Sequence, residues 1–185
     1  MPDQQSLRGR LLVAAPPLVD PNFDRTVVLM LEHGADGGLG IVLNRRSETA
    51  LEDVFPEWRP VVSPPDFVFA GGPVATDAVI ALARRRHAAL EGFVQILDDL
   101  GTVNLADDPF DVGTSLESLR VFAGYAGWSP GQLEAELDKG AWFVVALDPR
   151  DPFVEVPERL WRDVLRRQRS RLALFSNYPE DATVN

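Results

Sequence analysis

The sequence predicts an α+β (mixed α/β) domain of short strands with a few short helices beside them. Three observations carry this. Apolar runs at residues 11–15, 26–31 and 141–147 are too short for helices and apolar at successive positions, as in strands buried on both faces. Glycine and proline punctuate the chain between such runs, with 14 and 15 copies respectively. Helical spacing with recognisable ends is confined to short stretches, chiefly 130–139 and the segment after Pro157.

At 185 residues, with no linker-like stretch, the chain is expected to form one domain over 1–185, loose at 1–6 and 179–185. An apolar share of 45% and a charged share of 25% suit a soluble protein. The polar opening and the lack of an apolar run of ~20 residues point to a cytoplasmic protein without a membrane span. With no cysteine and two histidines, disulfides, thiol chemistry and thiolate zinc sites are excluded, and no metal or other cofactor is expected. A site on His33 would need Glu32 and Asp24 to complete it, and the plainer reading of His33 is a polar residue at a strand end. A net charge of −10 opposes the electrostatic term that dominates nonspecific DNA affinity, so direct nucleic-acid binding is disfavoured. The basic runs at 84–87 and 162–171 read as solvated faces or partners for the acidic excess.

Taken in order, 11–15 is the first strand, stopped by Pro16-Pro17, and 16–25 is a loop rich in polar side chains. Residues 26–31 and 39–44 form a hairpin around the glycine-rich turn 32–38. A dinucleotide fingerprint at Gly38-Leu39-Gly40 fails, because the third glycine is missing and a strand follows. Ser47 or Thr49 can cap a short helix through Leu51, Val54 and Phe55. Residues 67–70 make a strand that enters Gly71-Gly72-Pro73, where backbones can approach closely. The stretch 75–86 suits a strand or a helix, 93–97 a strand, and 115–117 a helical turn. Residues 119–147 read as strand, helix, strand, with a parallel crossover as one way to join them. Beyond Pro157, Leu160, Trp161, Val164 and Leu165 share one face of an amphipathic helix that packs on the sheet through Trp161.

The densest signal is Gly124-Tyr125-Ala126-Gly127-Trp128-Ser129-Pro130-Gly131-Gln132. Gly127 to Gly131 match the G-x-S-x-G of a hydrolase nucleophile elbow. The chemistry does not follow, since Pro130 has no N–H for an oxyanion hole, and both histidines precede Ser129 where the base must follow it. The stretch reads instead as a capping box, with Ser129 as N-cap, Pro130 at N1 and Gln132 reaching back; Gly140 closes the helix in a left-handed conformation.

Asp20-Pro21-Asn22-Phe23-Asp24-Arg25-Thr26-Val27-Val28-Leu29, Glu32-His33, Gly40-Ile41-Val42-Leu43-Asn44-Arg45, Gly71-Gly72-Pro73-Val74 and 124–136, in that order, resemble the YqgE/AlgH family, also called UPF0301. The resemblance runs from about Gly9 to Trp161. It implies a compact bacterial protein with a large mixed sheet and a few flanking helices, no established activity and no agreed catalytic residues. One branch carries a transcriptional-regulator label, which the acidic charge and the lack of a helix-turn-helix pattern make an indirect role here. Arg46-Ser47 departs from the family pattern, where proline often follows Asn-Arg, and touches only local loop geometry.

The expected function is a regulatory module that binds a small ligand or a protein partner, as a monomer or weak dimer. Its candidate binding residues are Asp20, Asn22, Asp24, Arg25, Glu32, His33, Asn44, Gly71, Gly72, Tyr125 and Trp128, crowded on loops beside rigid strands. For Tyr125 and Trp128, core packing competes with a place in a site wall. No catalytic residue is assigned. The alternative is a carboxylate-based hydrolase or transferase, with Glu32, Asp24, Glu134 or Glu136 as base and His33 as acid or orienter.

Overall fold

Leu11 to Ala14 are apolar at every position because the strand they form is covered on both sides. In the computed structural model, which describes residues 6–16, 18, 20–87 and 89–179, this strand is β1 (Arg10–Ala14). It is followed by β2 (Val27–Gly34), β3 (Gly37–Val42), β4 (Arg46–Ala50), α1 (Leu51–Val54), β5 (Phe67–Ala70), β6 (Val74–Arg85), β7 (Val94–Leu97) and β8 (Leu100–Val103). Then come α2 (Pro109–Gly113), β9 (Leu116–Trp128), α3 (Gln132–Asp138), β10 (Trp142–Ala146), α4 (Leu160–Arg166) and α5 (Leu172–Phe175). One ten-stranded sheet runs β10-β1-β2-β3-β9-β6-β8-β7, with β4 and β5 attached beside β9. Among the described residues only β5 and β9 pair in parallel, so the sheet is mixed and the fold is α+β.

Alternation sorts the strands onto two faces. Leu11, Val13, Val27, Leu29, Ile41 and Phe122 enter one cluster, closed by Leu160, Trp161, Val164 and Leu165 of α4. Leu12, Ala14, Val28, Met30, Val42 and Ala126 enter another, closed by Leu133 of α3. Each buried Val, Leu, Ile, Met or Phe among them contributes about 1.5–3 kcal/mol through burial. The Trp161 indole also donates to the Ala14 carbonyl at 2.9 Å, so α4 docks on the sheet as its apolar face predicts.

The sheet is curled. Arg8, just before β1, donates to the Gln95 carbonyl of β7 at 2.5 Å, and a Cβ on Gly9 would sit 3.1 Å from Leu97. In a flat sheet β2 and β7 would stand roughly 24 Å apart, five strand spacings. Curling leaves a mouth between the start of β1, the β2–β3 hairpin and β7.

Two buried arginines fix the other end. Arg120, fully buried on β9, donates to Pro64 O (2.6 Å) and Pro152 O (3.1 Å) and lies 4.3 Å over the Phe69 ring. Its Nε has no partner among the described residues, and burial pushes its pKa down to about 10. Arg84 donates to Pro149 O and stands 3.4 Å from Asp99 without hydrogen-bond geometry at Nε. Buried Asp151 takes Arg167 in a two-pronged contact at 2.5 and 2.6 Å. Together these groups hold residues 148–153 against the sheet before α4 begins.

Several local expectations change. Residues 75–85 are strand, because 79–84 pair with β9 and 81–84 also with β8. The hairpin turn tightens to Ala35-Asp36, and Glu32 and His33 lie within β2. Ser47 and Thr49 belong to β4, so α1 starts after Ala50 without a side-chain cap. The helical turn expected at 115–117 forms earlier as α2, where Asp108 caps the Phe110 N–H at 2.8 Å and Pro109 holds the first position. β9 runs through Trp128, and the four antiparallel pairings through β3, β2 and β1 leave β10 parallel to β9, so the expected strand-helix-strand crossover forms with three strands between its ends. Ser129 is not the cap. Left-handed Gly131 (φ 76°) intervenes as N-cap, and only the reach-back survives, with Gln132 Oε1 accepting the Ser129 N–H at 3.0 Å. Gly140 (φ 72°) ends α3 as expected, with Ala141 N bonded to Glu136 O and Gly140 N to Leu137 O. Of the ends expected to be loose, Ser6 and Pro179 are described, and the rest lie outside the described residues.

Candidate functional site

The loop at 20–25 is tied down largely through its backbone. Asp20 Oδ1 accepts the Asn22 N–H at 2.8 Å, and Asp20 O accepts those of Phe23 and Asp24. Asn44 bridges the loop to β2, accepting from Val27 N and donating to Arg25 O, both at 2.9 Å. Arg45 donates to Asn22 O at 2.6 Å and Asp24 O at 3.1 Å; burial lowers its pKa, against the pull of Asp24 and Asp20. Arg25, at φ 53°, lies 4.9 Å over the Trp161 ring and donates to Tyr178 O and Pro179 O. Between these bonds Phe23 drives its ring against Trp142 (5.5 Å) and Trp128 (6.3 Å).

Trp128 is 6% exposed and part of that aromatic cluster. Its indole N–H and that of Trp142 share Glu136 Oε2, at 2.9 and 2.8 Å, while Gln132 holds Oε1 at 2.9 Å. Gly71 and Gly72 serve backbone approach. The Gly71 N–H donates to Ala123 O and its carbonyl accepts from Val42 N, at the point where the partner of β9 changes from β5 to β3. A Cβ there would lie 2.3 Å from Gly124 O, and one on Gly72 would lie 2.2 Å from the Tyr125 carbonyl carbon. Tyr125 packs half-buried on the α4 side of the sheet.

His33 and Glu32 sit elsewhere, at the mouth of the curl. The Leu7 N–H donates to His33 Nδ1 at 3.2 Å, so Nε2 carries the proton and meets Glu134 Oε1 at 3.1 Å. Ser6 Oγ donates to the His33 carbonyl at 2.9 Å. The His33 side chain is 5% exposed and both its ring nitrogens are occupied, leaving neither lone pair nor proton for a substrate. Beside it opens a polar cup of about 510 Å³, lined by Arg8, Glu32, His33, Asp36 and the edge of Trp128. An apolar slot of about 280 Å³, lined by Leu31, Val79, Ile80, Val94 and Ile96, adjoins it, and Arg8, Glu32 and Leu39 line both. Among the described residues Glu32 makes no side-chain hydrogen bond or ion pair, and the Arg8 side chain donates only to the Gln95 carbonyl.

Of the candidate residues, the structure therefore gathers Glu32, His33 and Trp128 at one cleft. It places Asp20, Asn22, Asp24 and Arg25 in the loop, with Asn44 bridging that loop to β2, and Gly71, Gly72 and Tyr125 at the strand junction. Glu134 lies behind His33, whereas Asp24 does not line the cleft. The apolar wall of Leu31, Leu39, Ile80 and Ile96 and the mouth residue Arg8 were not visible as a site in sequence; the one signal was polar Glu32-His33 directly following the apolar run 26–31. Two further clefts of about 520 Å³ flank α2, whose Phe110 is 81% exposed among Glu57, Asp108, Asp111 and Glu117. No group of three or more His, Asp or Glu residues among those described could hold a metal ion, and no helix is long and apolar enough to cross a membrane.

Comparison with known proteins points one way. A family model described as AlgH-like matches residues 11–173. A UPF0301 protein of Streptomyces avermitilis is 47% identical over 100% of this chain and 98% of its own length, and one of Streptomyces coelicolor is 45% identical over the same shares. A crystal structure of a Corynebacterium diphtheriae protein superposes with a TM-score of 0.85 at 35% identity, over 92% of this chain and 91% of that one. The solution structure of the AlgH protein of Pseudomonas aeruginosa does so at 0.71 and 31% identity, over 98% and 99%.

Proposed function

Since the chain belongs to the AlgH-like, or UPF0301, family, we propose that it serves as a cytoplasmic binding module whose site is the mouth of the curled sheet. The observation that carries this is the junction of an apolar slot with a polar cup through Arg8, Glu32 and Leu39. Small-molecule sites combine apolar walls with a few convergent polar groups in this way, and the mouths of curled sheets are a frequent place for them. Regulation through such a module is indirect: occupancy of the cleft changes what the protein contacts, while its net charge of −10 keeps it from duplex DNA. The carboxylate-based hydrolase or transferase has less support, because His33 is held at both nitrogens. The binding unit is the monomer or a weak dimer.

Pentan-1-ol, which has a chain for the slot and no charge, tests the reading. In a titration followed by backbone amide NMR, the amides of Leu31, Leu39, Ile80 and Ile96 are expected to shift saturably, and Ile80→Glu to abolish the shifts while the rest of the spectrum stays folded. Shifts that never saturate, or that fall elsewhere, overturn it.

A further inference from the structure

Several arginines among the described residues have a counter-charge or a ring. Arg59 meets Glu52 and Asp66, Arg150 meets Asp148, Arg166 meets Asp163 and Arg167 meets Asp151. Arg25, Arg46, Arg85 and Arg120 lie over aromatic rings. Among the described residues Arg8 has neither, and Glu32 faces the same slot without a side-chain hydrogen bond or ion pair, although the two carry opposite charges. Two unlike charges at one apolar opening, not joined to each other, form a receptor for a molecule that carries both.

Resting on the reading of the mouth as a binding site, we propose that its ligand is a small zwitterion with an apolar side chain, of the apolar α-amino acid class. The side chain enters the slot between Leu31, Leu39, Ile80 and Ile96. The ammonium faces Glu32, with Asp36 adding negative charge nearby, and the carboxylate faces Arg8. A slot of about 280 Å³ suits an aliphatic side chain rather than a large ring system. His33 is not a headgroup ligand. Its bonds to Leu7 N and Glu134 hold the segment that carries Arg8 in place, which makes it a positioning residue.

The experiment compares four probes on the full chain by the same amide shifts: L-norleucine, hexanoate, which lacks the ammonium, pentylamine, which lacks the carboxylate, and pentan-1-ol. Norleucine is expected to bind about threefold to fivefold more tightly than hexanoate or pentylamine, the range open to exposed ion pairs. Glu32→Gln should erase its advantage over hexanoate alone, and Arg8→Gln its advantage over pentylamine alone, with Arg8→Lys retaining it. Norleucine binding no tighter than pentan-1-ol overturns the zwitterion and leaves the cleft standing. Failure of all four probes to shift the cleft amides overturns the cleft and the zwitterion together.

Discussion

The loop at 20–25 and the hairpin at 32–39 carry comparable sets of acids and bases beside the same strand, β2. Around the loop, the Asp20 carboxylate, the Asn44 amide and the Arg25 and Arg45 guanidinium groups are bonded to backbone atoms, and Phe23 pins the assembly into the tryptophan cluster. In the hairpin, His33 is bonded to Leu7 N and the Glu134 carboxylate, but Glu32 stands open above an apolar wall. A count of polar residues favours the loop. Hydrogen-bonding capacity left over next to apolar surface favours the hairpin, and that combination is what recognition needs, because a group already bonded to its own backbone must break a bond before it can make one.

The comparison breaks if loop substitutions act on binding or hairpin substitutions on stability. Asn44→Ala removes the partners of Val27 N and Arg25 O together and is expected to cost about 3 kcal/mol in denaturant unfolding, with pentan-1-ol affinity of the folded protein unchanged. Glu136→Ala strips both indole N–H groups of their acceptor and should cost about 2 kcal/mol in the same measurement. A smaller effect belongs to Asp148. Hydrogen bonds and charge from Arg150 hold its carboxyl down to about 2, below its unfolded value, so its contribution is present above pH ~4 and is lost as pH falls through about 2. Asp148→Asn should flatten that part of the acid-unfolding profile by less than about 1 kcal/mol, because the pair is open to water. Glu32→Gln should leave the unfolding midpoint within the ~0.5 kcal/mol usual for surface changes while altering the preference among charged probes; a large loss of stability there would place Glu32 in the architecture.

The strands were legible wherever both faces are buried, since an unbroken apolar run such as 26–31 admits few other readings. Residues 75–86 were not, because Ala75, Ala78, Ala81 and Ala83 suit a helix as well as a strand, and only pairing with β8 and β9 decides. The Ser129-Pro130 start satisfied every local rule for a helix cap, yet Gly131 took the position by adopting a conformation that few other residues accept. At the site, Glu32, His33 and Trp128 could be named in advance. Arg8 and the slot wall could not, because the slot exists only once the curl brings Gln95 to a residue 87 positions away. Arg120 was a missed signal: a charge inside the apolar run 119–123 marks either a strand edge or a buried anchor, and it proved to be the anchor.

β1 pairs residue for residue with β10, Arg10 opposite Ala146 and Ala14 opposite Trp142. On a ribosome adding about 5–20 residues per second, the first strand therefore leaves the exit tunnel on the order of ten seconds before the neighbour that covers its outer edge. For that interval the nascent chain offers an open apolar edge, the kind of surface that chaperones hold and that misassembles when they do not. A message truncated before residue 142 would make the interval permanent, so quality control is expected to remove such fragments rather than leave a shortened protein in service.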